Sequence, residues 1–479
     1  MNKLKTFLQN FSYTLGANII STVIGASIVL VLPAFLGVKE YGYWQLYLFY
    51  EGYTAYLSFG LSDGAYVKYG GWDYQKISKP ILSVQFWSIM FANILILSGV
   101  FFWENINGIT DYNKNVVIVF AFVSSVIVVP RLLLIAILQT TNRIKEYSLT
   151  IIIERIIYLV LVIVLFALGI REYVFFVFAD LGGKIISLGY AMYRCRDGVF
   201  SKIKGYIYVS FREIKDNISI GIKIISASVA GSLIIGIVRF YIEHSWSVEV
   251  FAKISLSISL SNMLLKFITA IAVVLFPIIC RTDKEQLSEI YRIGKKVLCV
   301  LILFGFVFYY PMKLVLTILL PQYGESLEFM ALLFPICIYE SKMQLLGNTY
   351  FKALRKEKYI LIINLIAMVA SLFLCEIGKI FNSSVPFYML IIVICLALRT
   401  IVSDIVISRC LGMKVIYDLM TESVMVIIFV VSNWLIGGMK GFALYVILYG
   451  IYIVSQKSSI LEIVRMMSGV VQSKKNKKV

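Results

Sequence analysis

Residues 12–36 read SYTLGANIISTVIGASIVLVLPAFL, 25 residues without one charged side chain. A helix rises 1.5 Å per residue, and about 20 mostly apolar residues cross the roughly 30 Å hydrocarbon core of a bilayer. This stretch is long enough to span. Further blocks of similar length follow at 43–62, 80–103, 115–139, 148–169, 173–193, 218–241, 249–280, 297–320, 327–350, 359–378, 387–408, 419–436 and 442–456. The expectation is an all-α, polytopic membrane protein with about 14 transmembrane helices. Composition agrees. Hydrophobic residues make up 60% of the 479, charged residues 15%, and mean hydropathy is +0.87. A typical soluble domain has about 25% charged residues, and a soluble protein this apolar could not cover its surface.

The net charge is +18. In a soluble chain that excess would suggest nucleic acid as a partner. Here the loops explain it, because cytoplasmic loops collect Lys and Arg. One side holds Lys3 and Lys5; Lys68, Lys76 and Lys79; Arg143 and Lys145; and the connector 194–217, with Arg194, Arg196, Lys202, Lys204, Arg212 and Lys215. Loops 281–296 and 351–358, Arg409, Lys414 and the tail 474–478 fall on the same side. The other side holds only Lys39, Lys114, Arg171, Lys379 and Lys440. Both termini are therefore expected in the cytoplasm, as an even number of spans requires. No small-residue cleavage site follows the first block, so it reads as a retained helix.

The connector 194–217 is the longest loop expected from the sequence, and it separates six segments from the rest. An internal echo supports that division. Residues 16–21 read GANIIS and residues 221–226 read GIKIIS, both early in the first segment of their half. The pattern G-x-x-I-I-S predicts two six-helix lobes at 1–210 and 211–416. Two further helices follow at 417–457, then a basic tail at 458–479. Repeats with an even number of spans run parallel, and substrate sites in such transporters lie at the repeat interface. A central cavity is the expectation.

Ionisable groups inside a span cost roughly 2.5–3.5 kcal/mol each on insertion scales and usually face a cavity or a partner. The basic candidates are Arg131, Arg155, Lys184, Lys223, Arg239, Lys253, Lys266, Lys313, Lys342 and Arg399. The acids are Glu51, Glu154, Asp180, Glu340, Asp404 and Glu422. Asp180 and Lys184 are spaced i, i+4 and can pair on one helix. Arg239, Lys253 and Lys342 can snorkel, and Arg399 and Asp404 can orient their helix. Two polar stripes are sharper. Ser255, Ser259, Asn262, Lys266 and Thr269 fall on one face of the eighth segment. Trp44, Tyr47, Glu51, Thr54, Ser58 and Ser62 form a similar face on the second. Such stripes either line water or join helices. Glu51 could carry a coupling proton or hold a lysine in place.

No enzyme pattern stands out. The one histidine, His244, lies in a short outer loop. There is no H-E-x-x-H, Walker loop or G-x-S-x-G. The seven cysteines lack metal-ligand spacing. Neither a metal nor a cofactor is expected.

Residues 36–44 read LGVKEYGYW, residues 59–64 read FGLSDG, and Val67-Lys68-Tyr69 follow. This resembles the LGxxxYGxW and (D)xGLxxxxxRY pattern of bacterial oligosaccharide-lipid flippases (Wzx-type). They belong to the multidrug/oligosaccharidyl-lipid/polysaccharide exporter superfamily. The sequence departs from the pattern at Phe59, beside Ser58, where an acid is common, and at Lys68, where Arg is common. The resemblance implies two lobes around a central cavity and alternating access in a bacterial inner membrane. The implied cargo is an undecaprenyl-diphosphate-linked oligosaccharide, moved to the outer leaflet for capsule, O-antigen or exopolysaccharide assembly. A polysaccharide polymerase or glycosyltransferases are implied partners, beside the membrane lipids. In this fold, segments one, two, seven and eight line the cavity. That favours Asn18, Glu51, Lys223, Arg239, Ser259, Asn262 and Lys266, with Glu51 also the coupling-ion candidate. Lys or Arg would neutralise a diphosphate, and Ser and Asn would bond sugar hydroxyls. The alternatives are a cation-coupled multidrug exporter, a lipid II flippase, or a membrane glycan polymerase or ligase. The last would need a large external loop with catalytic residues.

Overall fold

The computed structural model describes residues 2–107, 111–280, 284–413 and 416–456, with the side chains of 2–8, 11, 105, 107, 264, 266–280 and 284–286 outside the described set. The described residues form helices and no strand. Among the described residues, eleven helices are long and apolar enough to cross a membrane, or twelve if a bent pair counts as one span. That pair, Pro321–Leu333 and Ile336–Ala353, bends by 45°. These twelve occupy all the expected segments except 43–62 and 249–280.

The chain divides into two compact units. The first comprises Met1–Leu233 and Glu243–Ser255. It contains α1 (Asn2–Leu36), α2 (Val38–Thr54), α3 (Leu61–Lys68), α4 (Lys79–Asn107), α5 (Tyr112–Thr140), α6 (Ile144–Ala167), α7 (Tyr173–Arg194), the short α8 (Arg196–Val199) and most of α9 (Ile207–Ser245). The second comprises Ile234–Ile242 and Leu256–Val479. It takes in most of α10 (Val248–Cys280), then α11 (Lys284–Gly305), α12 (Tyr309–Leu319), α13 (Gly324–Leu333), α14 (Ile336–Lys342), α15 (Asn348–Ala353), α16 (Lys358–Ile380), α17 (Val385–Cys410), α18 (Ile416–Val430) and α19 (Gly438–Ser455).

Local chemistry accounts for several boundaries. Asp111 caps α5, its carboxylate accepting from the backbone N–H groups of Asn113 and Lys114 at 3.0 and 3.2 Å. This satisfies two of the orphan donors of a helix N-terminus. Glu40 Oε2 accepts from the backbone N–H of Tyr173 at 2.9 Å and so serves the start of α7. Inside the first unit, Leu61, Phe86, Leu133, Leu134 and Val199 form a shared apolar core. In the second, Phe306, Phe334, Phe429 and Tyr445 pack ring on ring. These contacts tie α18 and α19 to the helices before them.

Two expectations need correction. Segment 43–62 is not one continuous helix. After α2, a 3-10 turn at Ala55–Ser58 leads to Phe59 and Gly60, both left-handed at φ 49° and 83°. The chain then restarts as α3. Two successive left-handed residues cannot continue a right-handed helix. The connector 194–217 is likewise not one long loop, because α9 already begins at Ile207. The charges at Arg212 and Lys215 decorate helix rather than coil. Segment 249–280 does lie within one helix, α10.

Three glycines within residues 36–69 sit where backbones approach closely. A Cβ on Gly60 would lie 2.5 Å from the Gly221 carbonyl carbon, and one on Gly64 would lie 1.8 Å from the Asn217 oxygen. A Cβ on Gly221 would lie 1.8 Å from the Gly60 oxygen. The backbones of α3 and α9 therefore touch, as in other small-residue packings of membrane helices. At the far end of α3, Lys68 pairs with Glu213 at 2.8 Å, and the Tyr69 hydroxyl donates to the same carboxylate at 2.9 Å. Gly42 plays a similar part: a Cβ there would lie 2.6 Å from the Val248 oxygen. Trp44 is buried and stacks on Tyr158.

Candidate functional site

The second-segment stripe turns inward. Trp44, Tyr47, Thr54, Ser58 and Ser62 are all buried within the first unit. Trp44, Tyr47 and Thr54 lie on α2, which packs on α5 and α7, Ser58 lies in the turn after it and Ser62 on α3, which packs on α5, so the stripe joins helices. Its charged member, Glu51, sits in a tight group. Lys184 Nζ lies 3.1 Å from Glu51 Oε1, and it also pairs with Asp180. It lies 3.5 Å from both Ser124 Oγ and the Tyr47 hydroxyl. Ser124 donates to Glu51 at 3.4 Å, and Tyr47 donates to Asp180 at 2.8 Å. Asp180 and Lys184 thus pair as their spacing implies, with a second carboxylate from α2. One turn further along α7, Ser187 accepts from Arg131 at 2.9 Å, and Arg131 pairs with Glu154.

The second unit has its own buried group. Lys342, only 1% exposed, holds Asp404 at 2.8 Å and Glu422 at 2.6 Å. Lys295 reaches the same Asp404 oxygen at 3.0 Å, and Tyr291 donates to the other oxygen at 2.8 Å. Arg399 pairs with Glu340 at 2.6 Å. Lys342 therefore does not snorkel. It is locked among α11, α14, α17 and α18. Breaking such a buried pair from one side typically costs about 3–5 kcal/mol.

The seven expected site residues divide between the units. Asn18 and Lys223 are exposed on α1 and α9 of the first unit. They hold the same place in the G-x-x-I-I-S echo, two residues after its glycine. Arg239, Ser259 and Asn262 are half-buried in the second unit. The Lys266 side chain, a central expectation, lies outside the described residues. Glu51 is bonded to Lys184 and Ser124 instead of to another member of the set. Sequence reasoning missed Lys295 altogether. Its position in α11 looks like that of any loop-proximal lysine.

Outside the membrane, a loop cluster ties the first unit together. The Tyr74 hydroxyl donates to Asp197 at 2.7 Å, and Lys79 lies 3.5 Å from the same carboxylate. Partial burial works to raise the Asp197 carboxyl, but Tyr74 and Lys79 outweigh it and hold the group below its ordinary value.

The described residues thus form a polytopic helical fold with ionic groups buried in each unit. No protein-family model matches the sequence, and no curated protein sequence matches it either. Solved structures do. The chain is similar to a structure titled lipid II flippase MurJ in an inward closed conformation, at 12% identity and a TM-score of 0.57, over 93% of this chain and 99% of that one. It is also similar to an outward-facing multidrug resistance MATE family transporter of the MOP superfamily, at 15% identity, a TM-score of 0.54, and coverage of 85% and 96%. A MATE structure in complex with MaD3S matches at 14% identity, a TM-score of 0.58 and the same coverage. The chain therefore has the fold of MOP-type transporters. The proteins named in these matches are transporters and flippases, not enzymes.

Proposed function

We propose that this protein is a flippase for a lipid-linked oligosaccharide, moving it across the membrane by alternating access. The observation that carries this reading is the reach of the flippase match. It takes in 93% of the chain, against 85% for the two MATE matches quoted above. The resemblance of residues 36–69 to oligosaccharide-lipid flippases points the same way. Within this reading the cargo is an undecaprenyl-diphosphate-linked oligosaccharide bound for capsule, O-antigen or exopolysaccharide. The lobes 1–210 and 211–416 carry the transport cycle, and the helices at 417–457 are additional. Lys223, Arg239 and Lys266 neutralise the diphosphate, and Asn18, Ser259 and Asn262 bond the sugar. An exposed ammonium such as Lys223, on a helix this apolar, is stable only where water or a headgroup meets it. Lys184 and Ser124 both contact the Glu51 carboxylate, which supports a role for Glu51 in holding that lysine within this reading.

The test is complementation. Expression in bacterial strains lacking their own oligosaccharide-lipid flippase should restore surface polysaccharide in a strain whose repeat unit fits. Rescue of a strain depleted of its lipid II flippase, with no effect on surface polysaccharide, would move the assignment to lipid II. Drug resistance with no glycan phenotype in any strain would favour the exporter reading.

A further inference from the structure

The group around Lys184 has the form of a cation cage. Four side-chain oxygens from three helices converge on one nitrogen: Glu51 Oε1 and the Tyr47 hydroxyl from α2, Ser124 Oγ from α5, and Asp180 Oδ2 from α7. Two of the four are carboxylates, and all of these side chains are largely buried. A buried carboxylate pair without a counter-charge is costly. Hard monovalent cations favour such all-oxygen surroundings. An ammonium and a potassium ion are of similar size and charge, and they compete for such cages.

We infer that the Lys184 ammonium is a tethered cation that permanently fills a latent monovalent-cation site in the first unit. The second unit repeats the device with different residues, since Lys342 and Lys295 neutralise Asp404 and Glu422 there. In each unit the chain supplies buried carboxylates with its own ammonium groups. The native group therefore needs no alkali cation to be stable. The inference does not depend on which substrate is carried.

The experiment compares the purified native protein with Lys184→Met in detergent. Unfolding temperature is measured in potassium chloride, methylammonium chloride and N-methyl-D-glucamine chloride at equal ionic strength. The native protein should unfold at the same temperature in all three. Lys184→Met vacates the cage and leaves both carboxylates, so potassium and methylammonium should each raise its unfolding temperature by several degrees over the bulky cation. Indifference of Lys184→Met to the cation would overturn the inference. So would a potassium-specific gain in the native protein. If Lys184→Met does not purify, the double variant Glu51→Gln/Lys184→Met serves instead. It restores the net charge of the native group while keeping Asp180, Ser124 and Tyr47. A smaller potassium-specific gain is expected there, and no gain would overturn the inference equally.

Discussion

The two glycines of the sequence echo should respond in opposite ways to one added methyl group. On α9, a Cβ at residue 221 would lie 1.8 Å from the Gly60 oxygen and 2.7 Å from the Gly64 nitrogen. Ordinary carbon–oxygen contacts begin at about 3.3 Å, so α3 and α9 must separate by roughly 1.5 Å. Neither neighbour is a flexible side chain that could swing away. Overpacking of this kind costs about 1–3 kcal/mol. The better helix propensity of Ala returns up to about 1 kcal/mol; with the cost at the upper end, about 2–3 kcal/mol, because backbone meets backbone, the net for Gly221→Ala is a loss of about 1–2 kcal/mol. At Gly16 nothing lies within 4 Å of the added Cβ, so Gly16→Ala keeps the propensity gain and incurs no clash. For a unit of about 250 residues, a loss of about 1–2 kcal/mol lowers the unfolding temperature by about 2–8 °C. Thermal unfolding in detergent, followed by loss of the monodisperse chromatographic peak, reads this directly. Gly221→Ala as stable as Gly16→Ala would refute the close approach of α3 to α9.

Other outcomes follow from the same contacts. Lys342→Met should cost about 3–5 kcal/mol and cut the yield of folded protein. Adding Glu422→Gln should recover part of that yield, because Asp404 keeps Lys295 while Glu422 loses its charge. Phe59→Gly should stabilise by up to about 1 kcal/mol, since Phe59 is left-handed and 45% exposed; an unchanged or lower unfolding temperature would count against strain there. Lys266→Ala, with protein level and insertion confirmed, should sharply reduce surface polysaccharide in the complementation assay; full activity would remove Lys266 from the proposed site.

Much of the architecture was legible because hydropathy is local. Twelve of the expected segments coincide with helices of spanning length or with the bent pair. What sequence could not supply was partnership across distance. Glu51 meets Lys184, 133 positions away, and Lys342 meets Asp404 and Glu422, 62 and 80 positions away. Nothing local distinguishes a lysine that snorkels from one that is locked in a core. The i, i+4 pair of Asp180 and Lys184 was readable because its spacing is itself local. The second-segment stripe was visible as a face, but periodicity does not say what a face meets. The turn at Phe59–Gly60 was hidden because Phe rarely adopts left-handed geometry, so only the glycine hinted at it. The charges at 212 and 215 read as loop although the apolar residues beside them already belong to α9.

The long separation between Glu51 and Lys184 bears on how the protein is made. A ribosome adds about 5–20 residues per second, so roughly 7–27 seconds pass between synthesis of Glu51 and of the lysine that neutralises it. Through that interval α2 carries a bare carboxylate and cannot rest stably in lipid. Its segment must wait at the membrane surface, inside the insertion machinery, or protonated. The contact that neutralises Glu51 in the finished unit can form only once α7 has been made. A chain truncated before residue 184 should leave α2 accessible to water-soluble labels and exposed to membrane proteases, while the complete first unit conceals it.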